Sequence, residues 1–187
     1  MKKKAMGKFF YALACMLLLF QSQAAFGAQP PDDLPAATFT IPAPENAQAQ
    51  KYLGLKSMDP FTVSNTSAKL VIIEFFSALC PQCHINAPIV NRLYKTVLDD
   101  PSLADVKVIG IAVGSEKAQV EAYKKNFKVP FPIFLDDKFA ISAAMDGVET
   151  PTTMIISAKD GKVLASHHGV IKDFDGFLKE LKTLHKK

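Results

Sequence analysis

Residues 71–84 read Val71-Ile72-Ile73-Glu74-Phe75-Phe76-Ser77-Ala78-Leu79-Cys80-Pro81-Gln82-Cys83-His84, and the reading of this stretch decides the rest. Its first half is an apolar run of β-forming residues, which predicts a buried strand. The run breaks into Cys-x-x-Cys. Pro81 suits the first position of a helix, where its missing N–H takes nothing from the hydrogen-bond ladder. Beyond it Ile85, Ile89, Leu93 and Val97 recur every four residues, with Val90, Tyr94 and Leu98 beside them, a helical period. Two thiols therefore sit where a strand turns into a helix. A helix N-terminus favours negative charge, and the thiolate is the reactive form of cysteine. The geometry predicts a redox dithiol.

Of the 187 residues, 49% are apolar and 21% charged, the balance of one ordinary domain with a sizeable core. The formal charge is +4, but Lys2, Lys3, Lys4 and Lys8 lie in an opening stretch without acids. The remainder is close to neutral, and no nucleic-acid or anionic-membrane partner is expected from charge.

That opening stretch reads as an address. A basic start is followed by the uncharged run Phe9–Phe20 and then by small residues, the three-part pattern of a secretory signal peptide over residues 1–27. Cleavage fits after Ala24 or after Gly27. The run is short of the roughly 20 apolar residues of a spanning helix; the alternative is an uncleaved membrane anchor. Cys15 lies inside the run. Cys80 and Cys83 are then the two cysteines of an exported, periplasmic or extracytoplasmic chain. A disulfide between them closes a very small loop and removes little unfolded-chain entropy, so it is poorly explained as a staple.

Residues 28–60 read as a lead-in, extended or loosely packed over Ala28–Gln50, and residues 61–187 as the main domain. Within it the pattern predicts short strands and turns around Phe61 and Val63, a strand at Leu70–Phe76, a helix from Pro81 to Leu98 kinked by Pro88, and a strand at Val106–Val113. A helix at Glu116–Phe127, a strand at Phe131–Leu135 and a short helix at Lys138–Met145 follow. A strand at Thr152–Ser157, a turn at Lys159–Lys162, a strand to His168 and an amphipathic helix at Lys172–His185 complete the chain. This order argues an α/β fold, a central mixed sheet with helices on both faces. Glu74 stands in the apolar strand six residues before Cys80. A buried carboxyl has a raised pKa and can exchange a proton with Cys83; the alternative is a strand-edge acid reaching solvent or a lysine.

The pieces VIIEFF, CPQC, VKVIGIAV, KVPFPIFLDD and GVETPTTMII together resemble the thioredoxin superfamily, and within it the exported TlpA/ResA-like group, over about Phe61–Leu184. Gly114–Val148 resembles that group's central insertion. The resemblance implies a three-layer thioredoxin-like fold and a thiol-disulfide oxidoreductase. Cys80 would be the nucleophile, Cys83 the resolving thiol, and the pair a redox disulfide. Pro151 would be a cis-proline facing them, with Thr150, Pro81 and Gln82 shaping the substrate groove. It implies no cofactor, a monomer, and exported protein thiols or disulfides as partners, with a membrane electron-transfer protein as redox partner. It favours a reductase, with cytochrome c maturation as one setting, over a disulfide-donating oxidase. The chain departs from the group in two places. Leu79 stands where many relatives have Trp, and Asn86 stands three residues after the second Cys, where ResA-like proteins carry Glu.

Three other readings compete. CPQC followed by His84 spells the c-type haem attachment motif. A peroxiredoxin-like peroxidase expects Pro and Thr or Ser before its cysteine; Ser77 is present, but Ile73 occupies the Pro position. A binding module would have no use for an intact CPQC. His84 reads otherwise as a solvated helix residue. Two cysteines with scattered His167, His168 and His185 do not make a four-ligand zinc site, so no metal is expected.

Overall fold

The computed structural model describes residues 34–187; the signal-peptide reading of residues 1–27 lies outside them. The regular elements are α1 (Ala47–Leu53), β1 (Leu70–Phe76), α2 (Pro81–Asp99), β2 (Val106–Val113), α3 (Lys117–Phe127), β3 (Ile133–Asp136), α4 (Ala140–Ala143), β4 (Thr152–Ser157), β5 (Val163–His168) and α5 (Phe174–His185). The strands form one mixed sheet in the order β3-β2-β1-β4-β5. β1, β2 and β3 run parallel, and β4 is antiparallel to both β1 and β5. The apolar run thus becomes the central strand, paired on both sides and buried at every residue.

Strand alternation sorts β1 between two cores. Leu70, Ile72 and Phe76 face α2, α3 and α5, packing with Val90, Leu93, Val120, Phe177 and Leu181. Val71, Ile73 and Phe75 face the other way, against Leu53, Phe61, Ile141 and Met145. Helices therefore cover both faces, as the element order predicts. Gly114–Val148 supplies α3, β3 and α4.

Over its described residues the lead-in is extended and well packed rather than loose. Ala37, Phe39 and Ile41 are buried on the second face, alternating with exposed Thr38 and Thr40, and α1 adds Ala49 and Leu53. Ile41 and Phe61 exchange backbone hydrogen bonds of 2.7 and 2.9 Å, and the Ala37 N–H donates to the Gly161 carbonyl at 2.8 Å. Gly161 is needed there: its φ is 73°, and a Cβ would lie 3.0 Å from the Ala37 carbonyl oxygen. Each fully buried large apolar side chain contributes about 1.5–3 kcal/mol, so this segment belongs to the fold. The alternation expected at Phe61 and Val63 yields one bridge and a 3-10 turn, Val63–Asn65.

α2 spans the residues expected of it, ending one residue beyond Leu98. α2 continues through Pro88, which points to solvent; one backbone bond is forfeited, but the stripe Cys83, Asn86, Ala87, Val90, Leu93, Val97 is buried on the far side. Ile85 and Leu98 fall outside that stripe and are exposed. α4 is shorter than Lys138–Met145. The buried Asp136 carboxylate fixes its start by accepting from the N–H groups of Ile141 and Ser142 at 2.9 and 2.8 Å.

Candidate active site

Cys80 ends the loop after β1 and is the N-cap of α2, with extended backbone (φ −80°, ψ 119°). Its Sγ accepts from the Cys83 N–H at 3.4 Å. It also donates to the Thr150 carbonyl oxygen at 3.5 Å. Cys80 is partly exposed and Cys83 wholly buried, and both thiols are free. Pro81 and Gln82, the first two residues of α2, are exposed beside them. Leu79 is 68% exposed, so an aliphatic surface precedes the reactive sulfur.

The two thiols differ in acidity. Burial pushes Cys80 up, but hydrogen bonds from the Cys83 thiol and N–H, the Thr150 side chain and the Gln82 N–H outweigh it, and its pKa is lowered. Cys83 is pushed up to about 12, chiefly by burial and then by its contact with Cys80. Of the two, the exposed sulfur is the one that ionises first. A dithiol of this kind can attack a disulfide through one sulfur and hold the other in reserve.

The Thr150–Pro151 peptide is cis and faces Cys80 through the Thr150 carbonyl. The Gly169 N–H holds the Pro151 carbonyl at 2.8 Å from the end of β5. Beside this segment a groove of about 610 Å³ runs from Gln82 along His167, His168, Gly169 and Lys172 to Glu180.

Glu74 is 3% exposed. It lies on the α2 face of β1, in register with Gly110 on β2 and Thr153 on β4. Its Oε1 accepts from Asn86 Nδ2 at 2.9 Å, and its Oε2 from the Thr153 hydroxyl. Burial raises its pKa to about 7, against the lowering effect of Thr153 and Asn86. The solvated-acid alternative does not hold, because no edge of the sheet exposes β1.

Four neighbours were not singled out as site residues. Asn86 is fully buried, and its Oδ1 accepts from the Ile171 N–H at 3.0 Å. Thr153 follows Pro151 by two residues. Tyr123 stacks on Phe76 at 4.5 Å and donates to the Cys83 carbonyl at 3.2 Å. The Ser115 hydroxyl accepts from the Ala78 N–H at 3.0 Å, fixing the loop before Cys80. The helical stripe of α2 contained a signal for Asn86, a polar residue among apolar ones; the other three depend on pairing across the fold. His84 is half-buried rather than freely solvated. It packs 5.0 Å from Phe127, and its Nε2 donates to the Ala78 carbonyl at 2.8 Å.

Comparison with known proteins places these features. The thiol-disulfide oxidoreductase ResA of Geobacillus kaustophilus is 29% identical over 101 residues, 54% of this chain and 55% of that protein. The chain thus spans about half the length of the curated relatives it matches first. The thioredoxin-like protein YneN of Bacillus subtilis is 28% identical over 130 residues, 69% of each chain. Among solved structures, a thiol:disulfide interchange protein of the thioredoxin family from Chlorobium tepidum superposes with a TM-score of 0.58 at 22% identity, covering 85% of this chain and 99% of that one. The fold is thioredoxin-like. The profile of the AhpC/TSA family matches residues 35–166, a span holding both cysteines, Glu74 and the Thr150–Pro151 segment, and the chain belongs to that family.

Proposed function

We propose that this protein is a thiol-disulfide oxidoreductase working through Cys80 and Cys83. The observation that carries the reading is the opposed acidity of two thiols one helical turn apart, the accessible one lowered and the buried one raised. In the reducing direction the Cys80 thiolate attacks a partner disulfide, forming a mixed disulfide and releasing one partner thiolate. Cys83 then gives up its proton and attacks the Cys80 sulfur. The second partner thiolate leaves, and two electrons have moved from the dithiol to the partner. A thiol with a pKa near 12 needs a base for this step. Glu74 is that base: Asn86, its hydrogen-bond partner, lies one turn beyond Cys83 on the same buried stripe of α2.

The partner chain runs alongside Thr150 and Pro151, with Pro81 and Gln82 forming the opposite wall, and pairs its backbone with this segment. The secretory pattern of the first residues and the likeness to ResA support an exported, extracytoplasmic reductase of protein thiols. It is monomeric, with a membrane electron donor and with cytochrome c maturation as one setting. The haem reading is disfavoured by His84, whose Nε2 is engaged by the Ala78 carbonyl between aromatic rings. The peroxidase reading is disfavoured by Ile73, buried on the far face of the sheet.

The test is a pair of variants. Cys83→Ser should accumulate a stable mixed disulfide at Cys80 with a model protein disulfide, and Cys80→Ser should form none. If both trap a partner equally, the assignment of roles is wrong. Equilibration against defined thiol buffers gives the direction: a potential near about −270 mV marks a reductase and one near about −120 mV a disulfide donor.

A further inference from the structure

The two oxygens of Glu74 are held by groups of different capability. Asn86 is an amide, and its orientation is fixed by a neighbour that permits no ambiguity. The Ile171 backbone N–H can only donate, so the atom facing it is Oδ1. The atom facing Glu74 Oε1 is then Nδ2, which donates and has no lone pair to offer. A proton placed on Oε1 would point at a group that holds only hydrogens. Oε2 faces the Thr153 hydroxyl, which donates to a carboxylate and accepts from a carboxylic acid by rotation of one hydrogen. On the other side of β1 the register partner is Gly110, which has no side chain to intervene.

We infer that Asn86 and Thr153 divide the work at this acid: Asn86 keeps Oε1 as an acceptor in both protonation states, and the exchangeable proton resides on Oε2, entering and leaving past the Thr153 hydroxyl. Both are positioning residues. The inference rests on the reading of Glu74 as the proton carrier for Cys83. Of the titratable groups on the elements packed around this acid, those on its side of the sheet nearest its partners are Cys83 on α2 with Cys80 at the helix cap, Tyr123 on α3, and His167 on β5, opposite Thr153, with Glu180 on α5. The last two bond each other at 2.6 Å, and Tyr123 is bonded to the Cys83 carbonyl. Among the described residues, the hydrogen bonds made by Glu74 come from Asn86 and Thr153. The same Asn86 amide ties the acid to the segment Gly169–Asp173, which walls the groove beside Gln82.

The experiment is the pH dependence of mixed-disulfide resolution, measured in stopped flow for the wild type, Glu74→Gln, Thr153→Val and Thr153→Ser. The wild-type rate should rise with a midpoint near 7. Thr153→Val removes a donor to the ionised form and should move that midpoint up by about one pH unit, making resolution about fivefold slower at pH 7. Thr153→Ser should restore it, which a purely structural role for the threonine methyl would not allow. A Thr153→Val profile that coincides with the wild type, while Glu74→Gln loses the acid limb, overturns this inference and leaves Glu74 as the base. A Glu74→Gln profile that keeps the limb overturns both. A second measurement needs no variant. In carbon- and nitrogen-labelled wild type the Thr153 Cβ resonance should titrate with the Glu74 carboxyl carbon. The bonded Asn86 amide proton should stay downfield on both sides of the midpoint; its upfield release on protonation of Glu74 refutes the assignment.

Discussion

Glu74→Gln keeps the size of a buried side chain and takes away its ability to ionise, so it isolates the cost of a charge beneath the dithiol. The amide fits the existing partners: its oxygen accepts from Asn86 Nδ2, and its nitrogen donates to the Thr153 hydroxyl oxygen. In the wild type the folded pKa is about 7 against an ordinary value of 4.5, because burial disfavours the carboxylate more than its two hydrogen bonds favour it. The folded state thus holds the proton more tightly than the unfolded chain. Stability from this group is complete below the unfolded value, falls as pH rises between about 4.5 and about 7, and stays low above. The span corresponds to about 3 kcal/mol at 1.36 kcal/mol per pH unit. The assay is urea unfolding of the reduced protein at pH 4 and pH 8. The wild type should lose about 3 kcal/mol more than Glu74→Gln between the two conditions, so that the variant is the more stable protein at pH 8 and the two match at pH 4. Both carry the same cysteines, whose own titration cancels in the comparison. Equal pH dependence of wild type and variant would refute the account of a desolvated, titrating acid.

Three further outcomes follow from other parts of the molecule. Alkylation of the reduced native protein should modify Cys80 at pH values below those needed for a free thiol and leave Cys83 untouched up to strongly alkaline pH, as peptide mass mapping can show. Ile41→Ala and Leu53→Ala, both in the lead-in, should each destabilise by about 2–5 kcal/mol in denaturant unfolding; losses near zero would return that segment to a loose tether. Tyr123→Phe keeps the stack on Phe76 but loses the bond to the Cys83 carbonyl, which still has its partner within α2, so the expected loss is that of one hydrogen bond, about 0.5–1.5 kcal/mol, read as a shift of the unfolding midpoint at constant slope.

The strand-to-helix junction was legible because it needs only local chemistry: an apolar run, a helix-starting Pro81 and two cysteines. Glu74 was legible for a related reason, a charge inside a run that has to be buried. The partners of Glu74 were not. Thr153 meets it through the antiparallel register of β1 and β4, and a sequence shows which residues alternate but not which strand lies beside which. Asn86 was visible only as a missing Glu, although its place in the buried stripe of α2 marks a polar residue that must find a partner. Whether the lead-in is packed or loose is not legible locally, because a short extended run such as Ala37-Thr38-Phe39-Thr40-Ile41 is buried by Phe61 and Gly161, far along the chain. The aromatic neighbours that half-bury His84 come from α3, and nothing local to His84 announces them.

The dithiol and the segment that faces it are separated by roughly seventy residues of chain, yet they meet where Cys80 touches Thr150. β4 reaches that position by pairing with β1, after β2, α3, β3 and α4 have been laid down between them. Contacts of such long sequence separation form late, once the entropy of closing the loop has been met. The reactive sulfur is therefore made by the first third of the described chain and given its wall by the last. A chain made from its N-terminus presents the cysteines before the segment that faces them exists, so the junction of β1 and α2 can form while the wall beside Cys80 is still missing.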